Sequence, residues 1–321
     1  MRKALITGAA GFCAGHLAQA LIQETDVWII GCDISPNPFA LKSFHEYSCI
    51  DIVDTKRMEE FIHEQKPDII FHLAGLRSGK PIHIYQVNVL GCMNILEAVK
   101  KHAPQARLIV AGSAAEYGDI PTEKMPLTED QECHPSSPYG LSKYFATLAA
   151  LDYARTMKIR CAVVRPFNII GAAIPPSYVI GAILARAKEE ILKSPLSTLA
   201  ENKELLIRVG NVDTERDFIA VEDVTQAYIK LAESDCWGEI FNICTGIPRS
   251  IRSVVQDLLS NSPQRISLCA DPDLMRPGDV STSYGSYEKA HKAFRFKPKV
   301  SLSHALKKAW DYAMGDVTPC V

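Results

Sequence analysis

Ala4-Leu-Ile-Thr7, Gly8-Ala-Ala-Gly11-Phe-Cys-Ala14-Gly15 and His16-Leu-Ala-Gln-Ala-Leu-Ile22 follow one another without a gap, and they read as strand, glycine-rich turn and helix. Glycines let a backbone turn tightly and approach a pyrophosphate, and the start of the helix adds free N–H groups and the positive end of its dipole. A second apolar run, Val27-Trp-Ile-Ile30, leads to Asp33. A carboxylate at the tip of the second strand can accept both hydroxyls of an adenosine ribose, and it would repel a 2′-phosphate. No arginine follows immediately, so the pattern favours NAD(H) over NADP(H). A glycine-rich turn beside a helix-capping aspartate is the blander explanation, and the strand–turn–helix–strand order counts against it.

Outward from this stretch the alternation continues. Apolar runs at 69–73, 107–111 and 161–165 are spaced by helix-like stretches at 16–24, 55–65, 87–102 and 139–156. Continuous apolar strands separated by helices predict a parallel sheet covered on both faces, with ligands at the carboxyl ends of the strands. The expected fold is therefore α/β, a Rossmann-type doubly wound parallel sheet over residues 1–168. After Pro166 the pattern loosens into loops at 174–177 and 193–203 around a helix near 179–192, then short strands and helices. Residues 169–321 are expected to form mainly a smaller, mixed α/β substrate lobe. The chain should cross between lobes more than once, so this boundary is approximate.

Ser136-Ser-Pro-Tyr139-Gly-Leu-Ser-Lys143 carries the chemistry. Tyr139 and Lys143 share one face of a helix. An ammonium beside a phenol favours the phenolate, which makes a general acid/base that works at neutral pH. A buried tyrosine with an unrelated surface lysine is the plain alternative for these two residues alone. Arg107-Leu-Ile-Val-Ala-Gly-Ser113 is a strand ending in a hydroxyl, followed by Ala-Ala-Glu-Tyr117-Gly118. Ser113 could hold a substrate carbonyl opposite the tyrosine, or merely cap a turn. His72, after an apolar strand, reads as a packed structural histidine, and His134 as a loop residue.

A formal net charge of −2 argues against a general nucleic-acid binder. No apolar stretch reaches the roughly 20 residues that span a bilayer, and Met1-Arg-Lys leads into a run too short for a signal peptide, so a cytoplasmic protein is expected. The ten cysteines are scattered without a C-x-x-C pair, so neither a structural metal nor a disulfide scaffold is expected.

Taken together, the motifs resemble the extended short-chain dehydrogenase/reductase family of nucleotide-sugar enzymes. The resemblance runs nearly end to end. It includes Thr7-Gly-x-x-Gly11, Asp33, Asp51, His72-Leu-Ala-Gly75, Asn88-Val-x-Gly91, Ser113 with Tyr117-Gly118, Tyr139-x-x-x-Lys143 and Arg165-Pro-Phe-Asn168-x-x-Gly171. In the second lobe it takes in Arg216-Asp-Phe-Ile, Val221-x-Asp223-Val and Phe241-Asn-x-x-x-Gly246. It implies that Ser113 and Tyr139 bond the reacting oxygen and that Lys143 bonds the nicotinamide ribose. It implies that Gly8, Gly11, Phe12, Cys13 and Ala14 line the pyrophosphate turn, that Asp33 takes the ribose, and that Asp51 and Ile52 flank adenine. Leu73, Ala74, Gly75, Asn88 and Pro166 complete the cofactor site. Asn168, Val179, Arg208 and Arg216 are implied for the sugar nucleotide, an arginine fork being suited to phosphate. A homodimer through the helices at 87–102 and 139–156 is also implied.

Within the family, the C-terminal half is most similar to GDP-4-keto-6-deoxy-D-mannose reductases, through Ile207-Arg-Val-Gly-Asn211-Val-Asp-Thr-Glu-Arg-Asp-Phe218, Asn242-Ile-Cys-Thr-Gly246 and Leu274-Met-Arg276-Pro-Gly-Asp279. That likeness adds Arg276 as a nucleotide contact and implies a GDP-linked substrate. There are departures. Ala114 and Ala115 stand where sugar 4,6-dehydratases carry the carboxylate pair that performs elimination, and Glu116 could replace them only if its neighbour's direction were reversed. The reductases usually show glutamate at the position of Ala115, and the segment from His72 to Asn88 is shorter than in those enzymes. The expected activity is NAD(P)H-dependent reduction of the C4 keto group of a nucleotide-linked 4-keto-6-deoxyhexose. The alternative is a nucleotide-sugar 4-epimerase with tightly bound NAD.

Overall fold

The computed structural model describes residues 1–36, 41–193, 204–274 and 281–315. Its centre is a parallel sheet of seven strands. β1 (Arg2–Thr7) and β2 (Val27–Asp33) pair through the registers Arg2 with Val27 and Thr7 with Cys32. β3 (Glu46–Cys49), β4 (Ile69–His72), β5 (Arg107–Ala111) and β6 (Arg160–Pro166) extend it. The spatial order is β10-β6-β5-β4-β1-β2-β3, where β10 (Ile240–Ile243) is supplied from far along the chain and pairs with β6. The order reverses between β1 and β4, which opens a crevice at the carboxyl ends of the strands.

Strand alternation divides the core in two. Ala4, Ile6, Ile29, Phe71 and Val164 point to one face, toward α1 (Phe12–Glu24) and α7 (Val221–Ala232). Leu5, Ile30, Ile70, Leu108 and Val163 point to the other, toward α2 (Thr55–Gln65), α4 (Gly91–His102) and α5 (Pro138–Thr156). Because both faces are covered, β1, β2, β4, β5 and β6 each carry an apolar run legible in the sequence, whereas the edge strand β3 is part-exposed and has none.

The helix expected at 87–102 is interrupted. α3 (Pro81–Tyr85) is followed by one wide π turn over Gln86–Leu90, and regular α4 begins only at Gly91. The wide turn carries Asn88, whose side chain is spent on Leu76 N, Leu76 O and Ser142 Oγ. Such turns recur where a side chain must be re-aimed.

The later part of the chain holds a four-stranded sheet. β9 (Glu215–Ala220) lies between β11 (Pro248–Ser250) and β13 (Thr282–Ser283), and β7 (Asn168–Ile170) also pairs with β9. β8 (Leu205–Val209) and β12 (Ile266–Ala270) form a separate parallel pair. Two buried aspartates tie this part together. Asp217 accepts from Thr245 N, Thr245 Oγ1 and Gly246 N, and Asp223 accepts from Lys299 N and Val300 N. No helix among the described residues is long and apolar enough to cross a membrane.

Candidate active site

Three adjoining cavities lie at the carboxyl ends of the strands. The first, of about 320 Å³, is lined by Gly8, Gly11, Phe12, Cys13, Leu73, Gly75, Tyr139, Lys143 and Pro166. The turn beneath it depends on glycine. Gly8 has φ +70, and a Cβ there would lie 2.6 Å from the backbone of Ala74. Gly11 caps α1 without a side-chain hydrogen bond, so the first-turn N–H groups remain available to an anion. Asp33 is held over this turn, its carboxylate accepting from Ala10 N at 3.1 Å and Ser35 N at 2.9 Å. Asp51 is exposed and accepts from Val53 N, while Ile52 is buried, both following β3 beside β2. The cradle, the uncapped helix and the aspartate fit a nicotinamide dinucleotide.

His72 braces the turn from below. Its Nδ1 shares a 2.7 Å hydrogen bond with Thr7 Oγ1. Burial, with a contribution from the Lys143 charge, pushes its pKa down to about 3, so the ring is neutral. Asn88 does not line the cavity; it fixes the loop after β4 instead.

The second cavity has a volume of about 670 Å³. Ser113, Ala114, Ala115, Tyr139, Pro166, Asn168 and Arg216 line it. Ser137 caps α5 by accepting from Gly140 N at 3.0 Å, and Pro138 occupies the first turn, so Tyr139 sits at the helix start. Lys143, one turn on, is buried and donates from Nζ to Ala111 O at 2.9 Å. Gly140 lets α5 approach the turn after β5, since a Cβ there would lie 2.4 Å from Ala115 O. Ser113 Oγ accepts from Ala115 N at 3.1 Å, which leaves its proton free for a substrate oxygen.

The third cavity, of about 320 Å³, is lined by Asn168, Val179, Arg186, Asn211 and Arg216. Asn168 Nδ2 donates to Asp217 O and Arg216 donates to Glu215 O, so both side chains are anchored to β9. Arg208, expected here, is not brought to the cavity. It alternates with buried Ile207 and Val209 on β8, so its side chain lies 79% exposed beside Asp271. In its place Arg186, from α6 (Val179–Lys193), reaches the wall and donates to Arg208 O at 2.9 Å. Arg276 lies outside the described residues.

Besides Arg186, two more residues escaped the sequence reading. Arg77 and Tyr178 line all three cavities, with the guanidinium 4.0 Å from the Tyr178 ring centroid and 5.1 Å from that of Tyr139. The signal available was an arginine inside the segment from His72 to Asn88, which the resemblance marked as shortened. Burial pushes the phenols of Tyr178 and Tyr228 up, which keeps both neutral beside Tyr139.

Comparison with known proteins decides the family. The family described as GDP-mannose 4,6 dehydratase matches residues 5–309. The chain belongs to that family. Its members include nucleotide-sugar dehydratases, epimerases and reductases of the short-chain dehydrogenase/reductase type. The GDP-6-deoxy-D-mannose reductase of Pseudomonas aeruginosa is 28% identical over 311 residues, 95% of either chain. The putative UDP-glucose 4-epimerase of Methanocaldococcus jannaschii is also 28% identical, over 310 residues, covering 95% of this chain and 96% of that protein. The structure of RMD from P. aeruginosa complexed with NADPH superposes with a TM-score of 0.81 at 26% identity, over 99% of this chain and 100% of that one.

Membership in the GDP-mannose 4,6 dehydratase family does not bring a dehydratase's acid and base with it. Ala114 and Ala115 carry no ionisable group. Glu116 is fully buried, with Oε1 accepting from Ser113 N and Oε2 from Arg165 Nε, both at 2.8 Å. Its carboxylate is turned into the protein, away from the sugar cavity.

Proposed function

We propose that this protein reduces the C4 keto group of a nucleotide-linked 4-keto-6-deoxyhexose, GDP-linked by preference. The observation that carries the reading is a single cavity holding Ser113 and Tyr139 with no carboxylate in the two positions after Ser113. Elimination needs an acid and a base on the sugar, and hydride transfer at C4 needs only one proton donor and a polarised oxygen. The 28% identity to a GDP-6-deoxy-D-mannose reductase supports the GDP-linked substrate.

Residues 1–168, with β10 returning to them, hold the cofactor, and the remainder mainly holds the sugar nucleotide. Gly8, Gly11 and the start of α1 take the pyrophosphate, Asp33 the adenosine ribose, and Asp51 with Ile52 the adenine. The bound nicotinamide supplies the hydride. Tyr139 donates its proton to the C4 oxygen as the carbonyl is reduced, Ser113 donates a hydrogen bond to the same oxygen, and Lys143 compensates the phenolate left behind. Asn168, Arg186 and Arg216 bind the diphosphate of the substrate. Asp33 favours NADH, although the Pseudomonas structure holds NADPH. We further infer a homodimer through α4 and α5, where Phe145 and Leu148 of α5 and Leu90, just before α4, are exposed.

The test is oxidation of NADH and of NADPH with GDP-4-keto-6-deoxymannose, alongside a Tyr139→Phe control. Turnover that the substitution abolishes supports the reductase and ranks the cofactors. The second reading is a 4-epimerase, favoured by the 28% identity to a putative UDP-glucose 4-epimerase and by Asp33. NAD retained through purification, with no net consumption of NADH, would move the assignment there.

A further inference from the structure

The mechanism above leaves unused the largest buried charge pair beside the site. Arg165 and Glu116 are 2% and 0% exposed at their side chains, and Arg165 Nη1 has no hydrogen-bond partner among the described residues. Taking two charges out of water can cost more than their attraction returns unless geometry and further hydrogen bonds offset it. Here the far oxygen of Glu116 receives the backbone N–H of Ser113 at 2.8 Å, while the Ser113 hydroxyl caps the same short turn at Ala115 N. Gly112 makes room for this, since a Cβ there would lie 2.5 Å from Glu116 Oε1 and 3.2 Å from Arg165 Cγ. Arg165 is held in turn by β6 and lies 4.8 Å from the Tyr117 ring, whose hydroxyl donates to Asn242 Oδ1 on β10 at 2.8 Å.

We propose that Glu116, oriented by Arg165, is a positioning residue that sets the Ser113 hydroxyl against the reacting oxygen. The carboxylate acts through the Ser113 backbone and touches neither substrate nor cofactor. The turn that presents Ser113 is three residues long, and its backbone N–H would otherwise be an unpaired buried donor. A rigid acceptor behind it fixes where the hydroxyl points, and small misplacements of such a group cost up to about 100-fold in rate.

Two double variants isolate the effect, because both remove the buried ion pair. Glu116→Gln with Arg165→Met keeps an oxygen acceptor for Ser113 N, and Glu116→Leu with Arg165→Met does not. The first readout is amide hydrogen exchange of the peptide spanning 112–118, which needs no substrate. Exchange should be faster in the Leu variant than in the Gln variant, with peptides of α2 and α4 alike in both. The second readout rests on the reductase reading. There kcat should be about tenfold lower in the Leu variant than in the Gln variant, KM should be similar, and the difference should vanish when Ser113→Ala is added to both. Equal exchange at 112–118, or the same kcat difference in the Ser113→Ala background, overturns the proposal. If the wild-type protein reduces no nucleotide-linked keto-sugar, the reductase reading fails and the exchange result alone decides the role of Glu116.

Discussion

The glycine-rich turn and the arginine-lined wall of this site are built in opposite ways. The turn is assembled from sequence neighbours. Gly8, Gly11 and the start of α1 lie in one short stretch, and Asp33 arrives from the next strand. The wall collects Arg77 from the loop after β4, Asn168 from β7, Arg186 from α6 and Arg216 from β9. A locally coded site reads directly from motif spacing. A convergent one depends on which face each residue happens to present, as the exchange of Arg208 for Arg186 shows. Tyr139 stands on the border between them and lines both the cofactor cavity and the reaction cavity.

The largest effect should therefore come at that border. Tyr139→Phe should lower kcat by about 1,000-fold while cofactor still binds, because only the proton donor is lost. Single-turnover kinetics with a parallel cofactor titration separate the two, and a variant that turns over normally would remove Tyr139 from the chemistry. On the turn side, Gly8→Ala forces a Cβ into a positive-φ position against Ala74 and should cost about 2–3 kcal/mol in denaturant unfolding. It should also weaken cofactor binding, and an unchanged midpoint would mean that the backbone there is not as rigid as the local motif implies.

The wall should respond one residue at a time. Arg216→Met should raise KM for the nucleotide sugar roughly 10- to 100-fold, the worth of hydrogen bonds to a charged group. Arg208→Met should leave KM where it was, since that side chain faces solvent away from the cavity. Equal losses in the two variants would erase the distinction between them.

The smallest effect concerns the brace under the turn. His72 has a folded pKa of about 3, against an ordinary value near 6.5. Between those values the unfolded chain binds a proton that the folded one refuses, so stability falls as pH drops. Near pH 5 the loss from this group should be about 2 kcal/mol relative to neutral pH. His72→Asn should lose less stability over the same interval in urea melts. Parallel pH profiles would show that the ring is protonated in the fold.

Much of this was readable before any coordinates. The doubly wound sheet follows from apolar runs of strand length separated by helical stretches, and the glycine turn and the Tyr139–Lys143 spacing follow from contiguous residues. The reading went astray where local pattern and tertiary demand part. The helix expected from residue 87 yields to a wide π turn because Asn88 must reach Leu76 and Ser142. For Glu116, by contrast, the sequence allowed the role of a displaced base only if its neighbour's direction were reversed. Its burial against Arg165, a residue of β6, shows it as a structural acceptor instead.

The sequence by itself determined the sheet, the glycine-rich turn and the placing of Tyr139 and Lys143 one helical turn apart, because each is set by spacing along one or two adjacent elements. Only the tertiary structure decided which arginines line the third cavity, that Arg77 and Tyr178 border all three cavities, and that Glu116 turns inward. Those outcomes depend on the side-chain direction of residues far apart in the chain, and direction is fixed by packing against neighbours that no local pattern names.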